Sequence, residues 1–160
     1  MSKNTVRLAT PRFGEIAYSR DDVYTFPNGL VGLRDLRHFV MLDIDEAGIF
    51  HCLQCVDNPA FAFVLVDPLL LRPDYKVKVD EGTIALLELD DLGDAVAFAT
   101  VVVPENTAEM TANLRGPVII NTKTRIGTQI VLPQSEYGVR VSISGTLLEA
   151  EQDQEEELHA

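Results

Sequence analysis

The 160-residue chain has no tryptophan, two cysteines and three histidines, and sets only 13 Lys and Arg against 25 Asp and Glu. Each shortage removes a class of protein. Two cysteines cannot build the disulfide framework of a small secreted domain, nor a four-thiolate metal site. The shortage of cations leaves a formal net charge of −12. Such a chain offers no basic surface to displace counterions from phosphates, so no direct contact with nucleic acid is expected. The longest apolar runs, Phe61 to Val66 and Ala95 to Val103 (broken by Thr100), fall short of the roughly 18 residues a membrane helix needs. Met1 to Arg7 lacks the apolar centre of a secretory signal, so a cytoplasmic protein without membrane association is expected. Also missing are a Walker loop, Gly-x-Gly-x-x-Gly and Gly-x-Ser-x-Gly, and His38, His51 and His159 have no triad company. No catalytic residue, cofactor site or metal site emerges, and an enzyme is not expected.

What is present suits a packed globular protein. Hydrophobic residues make up 46% and mean hydropathy is +0.08, and 160 residues suit one domain with a core of its own. Charge is uneven. Glu149, Glu151, Asp153, Glu155, Glu156 and Glu157 carry half of the net −12 with no Lys or Arg among them. The expected division is a folded domain over residues 1–146 and an acidic tail over 147–160, too poor in apolar residues to pack and so frayed or disordered.

Along the chain, Val6 to Ala9 and Phe13 to Tyr18 read as an opening hairpin around Thr10-Pro11. Val23 to Phe26 follows as a strand, ended by the turn Pro27-Asn28-Gly29. Arg34 to His38 suggests one helical turn, and Phe39 to Leu42 a strand before the acidic turn Asp43 to Gly48. Ile49 to Val56 and Phe61 to Val66 pair across Asp57-Asn58-Pro59. Tyr75 to Val79 alternates apolar and basic residues, as an edge strand or a dimer seam would. Asp80 caps a short helix to Leu87. Ala95 to Val103 and Val139 to Ser144 read as further strands. About ten short strands, with Pro or Gly at nearly every junction, predict an all-β protein, a small antiparallel β-barrel-like domain with few short helices.

Two constellations invite chemistry. His51-Cys52-Leu53-Gln54-Cys55 holds a Cys-x-x-Cys, but no second ligand pair exists, and residues three apart on a strand point to opposite faces. His51 and Cys55 share a face at about 13 Å. The expectation is strand residues, one Cys buried and one exposed. The carboxylates Asp43/Asp45/Glu46 and Asp90/Asp91/Asp94 lack calcium-loop spacing and read as solvated turns. Phe26-Pro27-Asn28-Gly29-Leu30 and Asp57-Asn58-Pro59-Ala60-Phe61 place turns beside aromatics, as core caps or as a rim of partner-facing loops.

The most distinctive stretch is Thr111 to Leu132. It has a Gly116-Pro117 break, an apolar run to Ile120, a turn from Asn121 to Arg125, and a second apolar run. Nothing in it is reactive. Asn113, Pro117, Asn121 and Gly127 read as backbone devices: Asn serves nearby main-chain groups, Pro ends a ladder, and Gly tolerates unusual φ.

Together these motifs carry a resemblance. Phe26-Pro27-x-Gly29-Leu30-x-Gly32, Leu53-Gln54 with Pro59, Asp67-Pro68 and Tyr75 are joined by Thr111-Ala112-Asn113-Leu114-x-x-Pro117-x-x-Ile120-Asn121 and Gly127-x-Gln129-x-x-Leu132. From about Val6 to Tyr137 the chain resembles the flagellar assembly factor FliW family. Gly116 is a departure, since many members carry Ala there. The resemblance implies a β-barrel-like protein of the bacterial cytoplasm without catalysis. Such proteins bind flagellin and, when free, bind the translational regulator CsrA and antagonise it from a site separate from its RNA-binding surface. Flagellin translation then follows filament assembly. A monomer is expected. Asn58, Pro59 and Phe61 are the expected partner-binding residues, and Asn113, Pro117, Asn121, Gly127 and Gln129 the structural ones. The competing expectation, from a different class, is a small-molecule-binding β-barrel or a cryptic enzyme, which would need an apolar cavity with converging polar groups.

Overall fold

The computed structural model describes residues 5–133 and 137–143. The hairpin comes first: β1 (Thr5–Thr10) pairs antiparallel with β2 (Gly14–Ser19), and Gly14 closes the turn at φ +67°. Inward residues pair across it, Val6 opposite Tyr18 and Leu8 opposite Ile16. The hairpin forms a two-stranded sheet of its own.

The remaining strands build one curled antiparallel sheet. They are β3 (Tyr24–Thr25), β4 (His38–Asp43), β5 (Phe50–Cys55), β6 (Ala62–Val66), β7 (Ala95–Val102), β8 (Thr111–Asn121), β9 (Gly127–Gln129) and β10 (Val141–Ser142). The order is β10-β8-β7-β6-β5-β4-β3, with β9 also on β8. Consecutive strands are neighbours, joined by short turns from β4 to β6 and by a long segment carrying α1 (Glu81–Leu87) between β6 and β7. An isolated parallel bridge, Thr25 to Ile126, ties the outermost strand β3 back to the entry of β9, with the Thr25 amide donating to the Arg125 carbonyl at 2.8 Å. The sheet thereby curls toward a barrel, in agreement with the all-β expectation.

Alternating side chains put a core on each face of the sheet. Leu65 joins Phe26, Phe39, Leu53, Cys55, Val118 and Ile120 on one face. Its neighbour Val66 joins Tyr75, Ala99, Leu114 and Ile143 on the other. A third cluster sets Ile119 against Leu87 and Leu89 beside α1, the one α-helix among the described residues. Asp80 caps that helix, its Oδ1 accepting from the Thr83 amide at 2.8 Å. Because both faces are covered, Cys52 and Cys55 are both buried, correcting the expectation that one would be exposed.

Three further expectations fail for stated reasons. Arg34 to His38 is not helical: Leu30 and Leu33 bridge to each other and Leu36 turns into the core, so the chain makes a tight loop instead. Tyr75 to Val79 alternates in burial but joins no sheet; Lys76 donates its amide to the Tyr137 hydroxyl rather than to a strand. Pro117 does not end its strand. Between the pairs Phe98–Val118 and Thr100–Asn113, β7 spends one residue and β8 spends four, so Pro117 sits in a wide bulge where no ladder amide is needed. The opening hairpin, the turn at Asn121 and the β4 to β7 meander agree with expectation. The expected last strand is shorter than Val139 to Ser144: it forms at Val141–Ser142, while Val139 and Arg140 form a bend and Ser144 and the acidic tail lie outside the described residues.

Candidate partner-binding surface

Asp57, Asn58, Pro59 and Phe61 form the loop between β5 and β6. Its shape is set from within. The Phe61 amide donates to the Asn58 carbonyl at 3.1 Å, and Asn58 Oδ1 accepts from the Ala60 amide at 3.2 Å. Gln54, fully buried on β5, reaches under the loop. Its Nε2 donates to the carbonyls of Cys55 and Pro59 at 2.9 Å and of Phe61 at 3.2 Å. Three carbonyls around one nitrogen fix which end of the amide is which. Gln54 Oε1 is then left buried without a partner among the described residues.

Asp57 fastens this loop to the preceding one. Its Oδ2 accepts from the amides of Arg37 and His38, both at 2.9 Å, and its Oδ1 lies 3.0 Å from His38 Nδ1. Partial burial would raise the Asp57 pKa. The two amides and the His38 ring outweigh it and hold the carboxylate below its ordinary value. The Pro27 to Arg37 loop and the 57–61 loop therefore form one rim.

On that rim Asn58 and Ala60 are exposed and Pro59 is half-buried. Phe61 is half-buried as well, its ring stacked on Phe63 at 6.5 Å and packed against the Phe26 core. Phe61 thus shows one edge to solvent and anchors the loop with the rest. Beside it, Arg34 and Arg37 line a cleft of about 380 Å³ with Pro27 and Asn28. Neither guanidinium has an ion-pair partner among the described residues. In the sequence the pair reads as part of a helical turn. The signal available was two arginines three apart in a chain otherwise rich in acids.

The structural residues hold β8, β9 and the loops that meet them. Asn113 Oδ1 accepts from the amides of Arg115 and Gly116, both at 3.0 Å, inside the β8 bulge. Gln129 Nε2 donates to the Gly116 carbonyl at 2.9 Å, while its Oε1 accepts from the Val31 amide at 3.0 Å. One amide thus links the bulge to the loop that runs to Arg37. Asn121 Nδ2 donates to the carbonyls of Leu87 and Glu88 at the end of α1, and its Oδ1 accepts from Lys123. Gly127 adopts no unusual φ, contrary to the sequence reading; what it provides is room for Phe26.

Little here resembles a reaction centre. Burial pushes both cysteine thiols up, away from the nucleophilic thiolate. Among the described residues no group of three or more His, Cys, Asp or Glu could hold a metal ion.

The fold and this rim define a small curled-sheet protein whose distinctive polar residues hold backbone in place and present loops. Comparison with known proteins gives the particular family. The family profile described as FliW protein matches residues 7–143, and the chain belongs to the FliW family of flagellar assembly factors. It is 38% identical over 136 residues to the flagellar assembly factor FliW of Caldanaerobacter subterraneus, covering 84% of this chain and 91% of that one. It is likewise 38% identical over 136 residues to the FliW of Bdellovibrio bacteriovorus, covering 85% and 78%. A crystal structure of a flagellar assembly factor FliW superposes with a TM-score of 0.79 at 29% identity, covering 86% of this chain and 96% of that chain.

Proposed function

We propose that this chain is a non-catalytic regulatory protein of the bacterial cytoplasm that binds flagellin and, when free of it, binds and antagonises the translational regulator CsrA. Flagellin supply is then matched to filament assembly. The observation that carries the reading is family membership over residues 7–143. The partner identities come from the family resemblance. The packing supports an interaction protein over a barrel with an internal ligand, since Phe26, Phe39, Leu53, Leu65, Val118 and Ile120 form one buried cluster on a face of the sheet. The net charge of −12 suits a basic, RNA-binding partner.

In this reading the rim of Asn58, Pro59 and Phe61 contacts the partner, and the chain acts as a monomer. The test is pull-down of flagellin and of CsrA by the full chain, repeated at high salt and with Phe61→Ala and Asn58→Ala. Binding of both proteins, weakened by the rim variants in folded protein, is expected. Capture of neither would overturn the assignment of partners. Unchanged affinity in both variants would remove the rim. Deleting residues 149–160 is expected to slow association at low salt and to leave the fold intact, checked by circular dichroism and stopped-flow binding.

A further inference from the structure

The segment Lys76 to Val79 is shaped as a strand and, among the described residues, joins no sheet. Burial alternates along it, Tyr75 buried, Lys76 and Lys78 exposed, Val77 and Val79 half-buried and packed on the core. The main-chain groups of Val77, Lys78 and Val79 have no hydrogen-bond partner among the described residues. At Lys76 the Tyr137 hydroxyl meets both main-chain groups, 3.0 Å from the amide and 3.5 Å from the carbonyl. Those are the two bonds that a residue of a neighbouring strand would make. By the two-residue period, Lys78 presents its amide and carbonyl to the same side, where nothing answers them.

Across that side runs a second unpaired edge. Ile130 and Leu132 donate their amides to Pro117 and Arg115 at 3.1 and 2.7 Å, extending β9 along the bulge. By the two-residue period Val131, between them, turns its amide the other way, and the residue is 66% exposed. Between the two edges lies a groove of about 770 Å³, lined by Lys76, Lys78, Val131, Pro133 and Tyr137 among others. A free strand edge is a template for another chain.

We propose that this groove takes an extended segment of a partner protein, inserted as a β-strand between Lys76–Val79 and Ile130–Pro133, with carboxylate side chains at alternate positions. Hydrogen bonds to Lys78 on one wall and Val131 on the other supply the pairing. Charge specifies the occupant. Among the described residues neither Lys76 nor Lys78 has an ion-pair partner; of the two acids that also line the groove, Asp74 is paired with Arg72, and Asp80 keeps its charge at the start of α1, where the Thr83 amide donates to it. Outward residues of an inserted strand stand opposite the two ammonium groups, where opposite charge is favoured. Its inward residues face Val77, Val79 and Ile130 and are apolar. The groove is separate from the rim at Asn58, and the inference does not depend on which partners that rim serves.

The test uses the full chain and an acetylated, amidated peptide of alternating Glu and Val, with alternating Lys and Val as control. The acidic peptide should bind and slow amide hydrogen exchange at Lys78 and Val131, followed residue by residue by NMR. Val131→Pro removes an amide without a partner among the described residues, and should weaken binding roughly tenfold. Lys78→Glu should transfer preference to the Lys peptide. Equal binding of both peptides, or acidic-peptide binding without protection at Lys78 and Val131, would overturn the inference. So would protection already present without peptide and lost on removing residues 144–160, since the chain's own C-terminal segment would then be the occupant.

Discussion

A β-carbon placed on Gly127 would lie 2.4 Å from Cζ of Phe26. The ring is fully buried, stacked edge-on to Phe39 at 5.0 Å, and cannot withdraw. Gly127→Ala is therefore expected to destabilise the protein by about 1–3 kcal/mol, the usual cost of overpacking a core. The penalty should shrink when Phe26 is replaced by Leu, because the two positions share one space. Urea midpoints of the two single variants and the double variant give the coupling. An additive result would place the strain elsewhere.

Asn121 joins two jobs that the sequence presents as one turn. Its amide nitrogen covers carbonyls at the end of α1, and its oxygen holds the turn from which Arg125 reaches β3. Asn121 is 2% exposed. Asn121→Ala leaves buried groups unpaired and should cost about 1–3 kcal/mol. Asn121→Asp keeps the shape but sets a carboxylate against the carbonyls of Leu87 and Glu88. It should be the worse of the two above pH 5 and recover in acid, as thermal melts at pH 4 and pH 7 would register.

These residues show what a sequence can carry. The turn at Asn121, the cap at Asp80 and the two-residue period of the strands were legible because each is local. The same period at Tyr75 to Val79 gave the right faces and the wrong pairing. Side-chain alternation reports burial, whereas a ladder needs a neighbour that only the tertiary fold supplies. Gly127 reads locally as backbone freedom because nothing local names Phe26. Pro117 reads locally as a strand end because the bulge opposite Ala99 depends on the register of β7. At the rim, the loop 57–61 was visible as a turn beside an aromatic. Its attachment through Asp57 to Arg37, and the cleft of Arg34 and Arg37, needed the two loops brought together.

Tyr75 holds the bulge from the other side, its hydroxyl donating to the Leu114 carbonyl at 2.7 Å. Tyr75→Phe should cost about 1 kcal/mol. Burial, with Tyr137 nearby, pushes the Tyr75 pKa up to about 12. Its folded pKa lies above the unfolded value of about 10. The stability it contributes is therefore full below pH 10 and is lost as pH rises toward 12. The gap between wild type and Tyr75→Phe in urea midpoint should accordingly narrow over that range. A gap constant to pH 12 would mean that the hydroxyl is not buried as described.

Asp57 supplies the corresponding test at the rim, with the opposite sign. The Arg37 and His38 amides and the His38 ring outweigh partial burial and hold its pKa below the ordinary carboxylate value. A carboxylate with a lowered folded pKa stabilises fully above its unfolded pKa of about 3.9, and that contribution is lost as pH falls through the folded value. Asp57→Ala unpairs two amides and should cost about 1 kcal/mol at pH 7, allowing for solvent screening of a partly exposed group. Asp57→Asn, which keeps an acceptor, should cost less. Both deficits should narrow below pH 4 in thermal melts. If the rim also binds the partner, Asp57→Ala should weaken binding at pH 7 while leaving the peptide groove at Lys78 unaffected. Among the described residues no hydrogen bond runs directly between the groove walls and the 57–61 loop, and only the rim hangs on the loop that Asp57 fastens.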